Sequence, residues 1–342
     1  MTLTQTAILT KRLILLSVFA LIFGIVSFTG YKIWYAYYLS HLPPVEEKPD
    51  IKFGLLPTPE FPQTQTSSSN FSYSLDTTTG SLPKIGEDPG FEKIIKVYFI
   101  SQTFATLLAP EKSQNLAEKF NILTPPNIIN ETHYQFNDGG KNLTVNLDNG
   151  NFTFTQEATI SAQVNLEDES KLVADFKQTL SFLGVLNNDL NNGRTKIVLL
   201  KVEGDKFVPT TIRQDAQATQ ISLWPASIDQ KSIFTPDFNK SLVWGIVLGS
   251  ADKLENHLSL NFTYYPIDTT TFATYPIKSA ESAFDDLKNG KGAVIIEPRK
   301  PQVSITSVYL GYYLPENYNP YLQPIFVFEG PDFVSFVPAI SE

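Results

Sequence analysis

The sequence predicts an α+β fold class: one N-terminal transmembrane helix, then two to three helix-plus-antiparallel-sheet modules. Two observations carry this. Residues 13–30 read LILLSVFALIFGIVSFTG, eighteen uncharged and mostly apolar residues, enough at 1.5 Å per residue for about 27 Å of helix. After residue 90 the hydrophobic spacing alternates three times between a helical period and a period of two.

The helix comes first. Tyr31–Ile33 extend it to the full hydrocarbon thickness, giving a cytoplasmic tail at 1–12 and a membrane span at 13–33. Lys11 and Arg12 precede Leu13, only Lys32 follows Gly30, and Trp34 with Tyr31, Tyr35, Tyr37 and Tyr38 makes an interfacial aromatic cluster. By the positive-inside rule the N terminus is cytoplasmic and the rest lies outside, in a single-pass arrangement in the cell membrane. A cleaved signal would end in a small-x-small site, whereas Gly30 is followed by bulky aromatics. Without cysteine, neither disulfides nor a lipid-modified cysteine contribute to stability or anchoring.

Residues 34–90 read as a membrane-proximal segment and a Pro/Ser/Thr-rich stalk, with one alternating strand at Phe71–Leu75 laid against the domain. The first module, 91–160, opens with a strand at Ile94–Ile100. A helix follows at Pro110–Phe120, with Leu116, Ala117 and Phe120 on one face. Its meander alternates through Tyr134 and Phe136, Leu143 to Leu147, and Phe152 and Phe154, with turns at Gly139-Gly140 and Asn149-Gly150. The second, 161–270, has a helix at Asp168–Leu183 with Leu172, Val173, Phe176 and Leu180 inward and Gly184 as its stop. Strands are expected near 196–202, 217–223, 242–248 and 256–265. The third, 271–342, has Ser279 as N-cap, Ala283, Phe284 and Leu287 inward, Gly290 as terminator, and strands near 293–297, 304–314, 321–328 and 333–337.

Composition narrows the function. Hydrophobic residues make up 42%, aromatics 13% and charged residues 18%, which describes a folded chain rather than a disordered one. A net charge of −9 repels nucleic acid. Six Asn-x-Ser/Thr triplets occur, and a chain rich in Asn and Thr produces them by chance.

Tyr275-Pro276-Ile277, the helix with Glu281, Ala283, Phe284 and Leu287, the run Ile305 to Tyr313, and Leu322 to Phe328 together form a distinctive C-terminal pattern. It resembles the C-terminal part of YycH/YycI-type regulatory proteins and the wider PepSY-like group. In element order the resemblance covers most of 90–340, and in letters about the last 70 residues. It implies PepSY/YycI-like modules in a non-catalytic extracytoplasmic domain acting on an envelope or membrane protein partner. The stalk and an extra meander depart from those families, and no site residue carries over.

Chemistry-bearing motifs are sparse. His41, His133 and His257 are isolated and lack metal-ligand spacing, so no metal is expected; the latter two read as strand-surface residues. No nucleophile elbow, Ser-x-x-Lys pair or phosphate loop occurs, so no catalytic residue and no cofactor are assigned and the chain reads as a non-enzyme. Glu167-Asp168-Glu169 and Asp285-Asp286 fit a helix start and a solvated helix face better than an acid/base pair. Tyr309, Tyr312, Tyr313, Tyr318 and Tyr321 form the candidate partner surface, against strand packing as the alternative for those in the strand. The leading expectation is a binding or regulatory ectodomain for an envelope protein. The alternatives are a cell-wall glycan-binding protein or envelope hydrolase, and a surface-displayed structural domain.

Overall fold

The computed structural model describes residues 3–40, 48–63, 66–157, 165–204 and 206–340. It forms two compact units, Met1–Lys48 and Pro49–Glu342.

The first unit is the helix α1 (Leu3–Ser40), within which Leu13–Tyr38 is long and apolar enough to cross a membrane. Helical structure thus runs past the expected end at 33, because nothing from Ile33 to Tyr38 breaks it. From Leu13 to Tyr38 its side chains are exposed all round, Leu13 at 60%, Phe23 at 74% and Trp34 at 59%, the pattern of a helix apolar on every side rather than of an amphipathic surface helix. Tyr31 stacks on Tyr35 at 5.9 Å and Trp34 on Tyr38 at 5.8 Å. The Ser17 hydroxyl donates to Leu13 O and the Thr29 hydroxyl to Ile25 O, so both are satisfied within the helix. Lys11 is exposed, and a Cβ on Gly30 would meet nothing. Arg12 lies in the helix; its side chain and His41 fall outside the described residues.

The second unit begins with β1 (Ser72–Leu75), β2 (Ile94–Ile100), α2 (Ala109–Lys119), β3 (Asn127–Ile128), β4 (His133–Asp138), β5 (Lys141–Asn146) and β6 (Phe152–Gln156). Next come α3 (Glu169–Leu183), α4 (Asn188–Asn191), β7 (Thr195–Glu203), β8 (Lys206–Pro209), β9 (Ala218–Leu223), β10 (Ile233–Phe234), β11 (Val243–Val247) and β12 (His257–Phe262). The chain ends with β13 (Ile267–Pro276), α5 (Ala280–Lys288), β14 (Ala293–Ile296), β15 (Gln302–Ile305), β16 (Ser307–Tyr313), β17 (Tyr321–Gly330) and β18 (Phe333–Pro338). It is mixed α+β and mostly sheet.

Helix ends follow their local chemistry. Gly184 closes α3 at φ +81°, its N–H donating to Leu180 O and Ser181 O. The Ser279 hydroxyl accepts from Ser282 N–H at 3.1 Å and starts α5.

Nine antiparallel strands form one sheet in the order β3-β4-β5-β6-β12-β11-β9-β7-β8. Its register sets Leu143, Phe154 and Leu260 side by side, and α2 and α3 cover that face with Leu116, Phe120, Leu172, Phe176 and Leu180. The opposite face carries Thr144, Thr153 and Asn261 in one row. The sequence boundary at 160/161 therefore does not divide two sheets. The edge of the β4–β6 meander has unpaired backbone groups, and β12 satisfies them from 100 residues further on.

The second sheet runs β10-β16-β17-β18-β14, with β2 paired to both β17 and β13. α5 covers one face through Ala283 and Leu287 against Phe326, Phe328 and Val337. Beside it, β1 lies parallel to β15, matching Tyr73 with Val303 and Leu75 with Ile305, so the strand expected at 71–75 does lie on the domain.

The stalk requires correction. Residues 50–63 are laid on this second sheet, with Phe53 and Leu56 packed near Val97, Ala273, Tyr275 and Tyr321, and Phe61 near Tyr313 and Phe336. Pro-rich sequence without periodicity was the signal for a linker, yet it holds to the sheet by rings and carbonyls, which need no period.

Candidate functional site

The five tyrosines do not form one outward surface. Tyr312 and Tyr313 are 0% and 2% exposed, because they point into different core clusters, Tyr312 with Tyr98 and Phe326 and Tyr313 with Phe61 and Phe336. The Tyr312 hydroxyl donates to Lys96 O at 3.1 Å, and its ring meets Tyr98 at 5.6 Å. The Tyr313 hydroxyl donates to Glu60 O at 3.0 Å, and its ring packs edge-on against Phe61 at 4.9 Å. Burial pushes both phenols above the ordinary range. Tyr309 donates to Glu329 Oε2 at 2.7 Å and Tyr318 to Ile100 O at 2.9 Å. Tyr321 rests on Phe53 at 5.1 Å. The reading of a tyrosine partner surface is thus corrected: Tyr313 and Tyr321 face the chain's own segment 50–63.

The other candidate residues are also accounted for. Lys171 pairs with Glu167 at the start of α3, Lys288 with Asp285 at 2.7 Å and Lys278 with Asp286 at 2.7 Å. His257, expected on a strand surface, is fully buried and stacks on Phe176 at 6.0 Å. Its Nδ1 lies 3.0 Å from Lys253 O, Nε2 has no partner among the described residues, and burial holds the ring's pKa down to about 4. A bulge between Ile246 and Val247 turns His257 inward, which strict alternation along the strand does not reveal. Among the described residues no three His, Asp or Glu side chains are grouped to hold a metal ion.

A concavity lies at one end of the nine-stranded sheet. It is a cleft of about 580 Å³ walled by α2 (Lys112, Ser113, Leu116, Lys119), the β5–β6 turn (Asn146 to Gly150), the end of α3 and the loop before α2 (Thr103, Phe104, Thr106). Its polar groups are largely committed to the backbone. Lys119 Nζ donates to Phe182 O at 2.9 Å and Leu183 O at 3.0 Å, closing the C terminus of α3, where a cation also complements the helix dipole. Asp148 Oδ1 accepts from Ala105 N–H at 2.9 Å and pins the loop. Asn146 Oδ1 accepts from Asp148 N–H at 2.9 Å.

Phe104 lines this cleft, and Leu107, Leu108 and Phe182 are next in sequence to lining residues. Phe104 is 68% exposed, Leu107 100%, Leu108 57% and Phe182 58%. Sequence reasoning missed them because the loop 101–108 lies between two well-patterned elements. The signal was the FATLL run itself, apolar residues outside either period.

Fold and cleft define a sheet-rich α+β unit joined in sequence to a helix long and apolar enough to cross a membrane. No family model matches the chain, and no curated protein matches it. Among solved structures, one described as an uncharacterized protein from Eubacterium rectale ATCC 33656 aligns at 12% identity with a TM-score of 0.33, covering 77% of this chain and 86% of that one.

Proposed function

We propose that this chain is a single-pass membrane protein with a cytoplasmic N terminus and a non-catalytic extracytoplasmic domain that binds an envelope protein partner. A regulatory role of the YycH/YycI kind belongs to the same proposal. The observation that carries it is exposed Phe104 in the wall of the 580 Å³ cleft, with exposed Leu107, Leu108 and Phe182 next in sequence to residues that line it. Such a rim suits a partner that inserts one apolar side chain, with the surrounding contacts excluding water. Lys11 and Arg12 before the span, against Lys32 after it, support the orientation.

The test is capture of the detergent-solubilised full chain from its own envelope, comparing the wild type with F104S/L107D. A discrete protein that accompanies the wild type and is lost with the variant is the expected result. A partner retained by the variant overturns the role of the rim. Binding of purified cell-wall glycan, with no protein recovered, overturns the reading altogether.

A further inference from the structure

Among the described residues, the seven-stranded sheet carries a helix, α5, on one face. On the other, Phe61 packs on Tyr313 and Phe336 within a cluster that Phe234 and Phe238 also join, and further along Phe53 and Leu56 pack on Val97, Ala273 and Tyr275. Between these two ring anchors, eight residues apart, side chains of the sheet donate to the backbone carbonyls of the segment. The Tyr275 hydroxyl reaches Gly54 O at 2.9 Å, Gln323 Nε2 reaches Pro57 O at 2.7 Å and the Tyr313 hydroxyl reaches Glu60 O at 3.0 Å. Pro57, Pro59 and Pro62 have no N–H to offer a strand ladder, and proline favours an extended backbone whose carbonyls stay available. The segment's other side faces water: Leu55 is 90% exposed, and Pro57, Thr58 and Glu60 are exposed. Rings and hydroxyl or amide donors reading the carbonyls of an extended proline-containing stretch is the way aromatic grooves recognise proline-rich peptides.

We propose that this face is a peptide-binding groove filled in cis by residues 53–62, and that an extended proline-containing segment of a partner protein, with aromatic anchors at the same spacing, displaces the cis segment. The groove is distinct from the cleft beside α2, so either reading fails without the other. Tethering gives the cis segment an effective concentration in the millimolar range, which a free peptide must overcome.

The experiment uses the solubilised full chain and a fluorescein-labelled peptide DIKFGLLPTPEFPQ, residues 50–63 of this sequence, read by fluorescence anisotropy. In F61A the cis contact loses its phenyl anchor, so the peptide is expected to bind roughly tenfold more tightly than to the wild type. Gln323→Ala in the F61A background is expected to weaken that binding severalfold. Equal affinity for wild type and F61A overturns the proposal, as does the absence of saturable binding to an F61A protein that keeps its cooperative thermal transition. Affinity unmoved by Gln323→Ala places the peptide elsewhere and overturns it too. Should F61A fail to fold, Leu56→Ala trims the other anchor and supplies the same comparison.

Discussion

Gly245 on β11 gives a prediction whose sign is diagnostic. A Cβ at this position would lie 2.6 Å from Phe176 Cε2 and 3.2 Å from its Cζ, in a core where Phe176 is fully buried. Gly245 pairs with Leu260 and Ile221 in the middle of the nine-stranded sheet and has no left-handed backbone to protect. On backbone grounds alone, then, alanine there stabilises by about 0.4–1 kcal/mol, since it restricts the unfolded chain. Packing opposes this. Forcing a buried ring out of a filled site costs about 1–3 kcal/mol, and the larger effect wins. Gly245→Ala is therefore expected to destabilise by about 1–2 kcal/mol, a fall in Tm of about 1.5–3 °C for a unit of this size. Phe176→Leu alone loses buried area, while G245A/F176L gives the new methyl the vacated space, so the double variant should lose less than the sum by about 0.5 kcal/mol or more. The assay is thermal unfolding of the four proteins in one detergent. A Gly245→Ala protein as stable as the wild type, or strict additivity in the cycle, refutes the packing argument.

His257 predicts acid lability. Its folded pKa, about 4 against an ordinary 6.5, means that the unfolded chain binds the extra proton first. Stability is thus full above about pH 6.5 and falls as pH drops toward 4, by up to about 3 kcal/mol from this group. His257→Phe should flatten the dependence of the denaturant midpoint between pH 7 and 5; an unchanged slope shows that other groups carry it. For topology, Ser69 is exposed in a chain without cysteine, so Ser69→Cys should react with an impermeant maleimide on intact cells. Labelling only after lysis would reverse the orientation.

Local elements were legible in the sequence and their partners were not. The stripe Leu172, Phe176, Leu180 with Gly184 at its end marks α3 within a residue of its observed limits, because period and cap are properties of a short window. Phe152 and Phe154 likewise mark β6, but nothing in that window says that Leu260 and Phe262 lie beside them. Three modules in series were expected because pairing between strands a hundred residues apart has no local signature. The same holds for β2, expected to open the first module and observed between β17 and β13. Of the binding surfaces, the tyrosine cluster was visible as composition. Strand packing of its β16 members was legible as the other reading, but the proline-rich stretch over Tyr313 and Tyr321 was not, since that sequence reads as a tether.

The laying of residues 50–63 and 66–75 across β15 to β18 also governs the order in which this chain folds. Tyr313 and Gln323 meet carbonyls 253 and 266 residues earlier in the chain, and β1 waits for a partner at Gln302–Ile305. During synthesis at about 5–20 residues per second the first of these segments stands without its partner for some tens of seconds. Such long-range closure is slow, and it leaves strand edges open meanwhile. A ribosome that stops short of residue 302 therefore releases a chain with both ends of this sheet unpaired, so the last forty residues act as a completeness check on the first part of the domain.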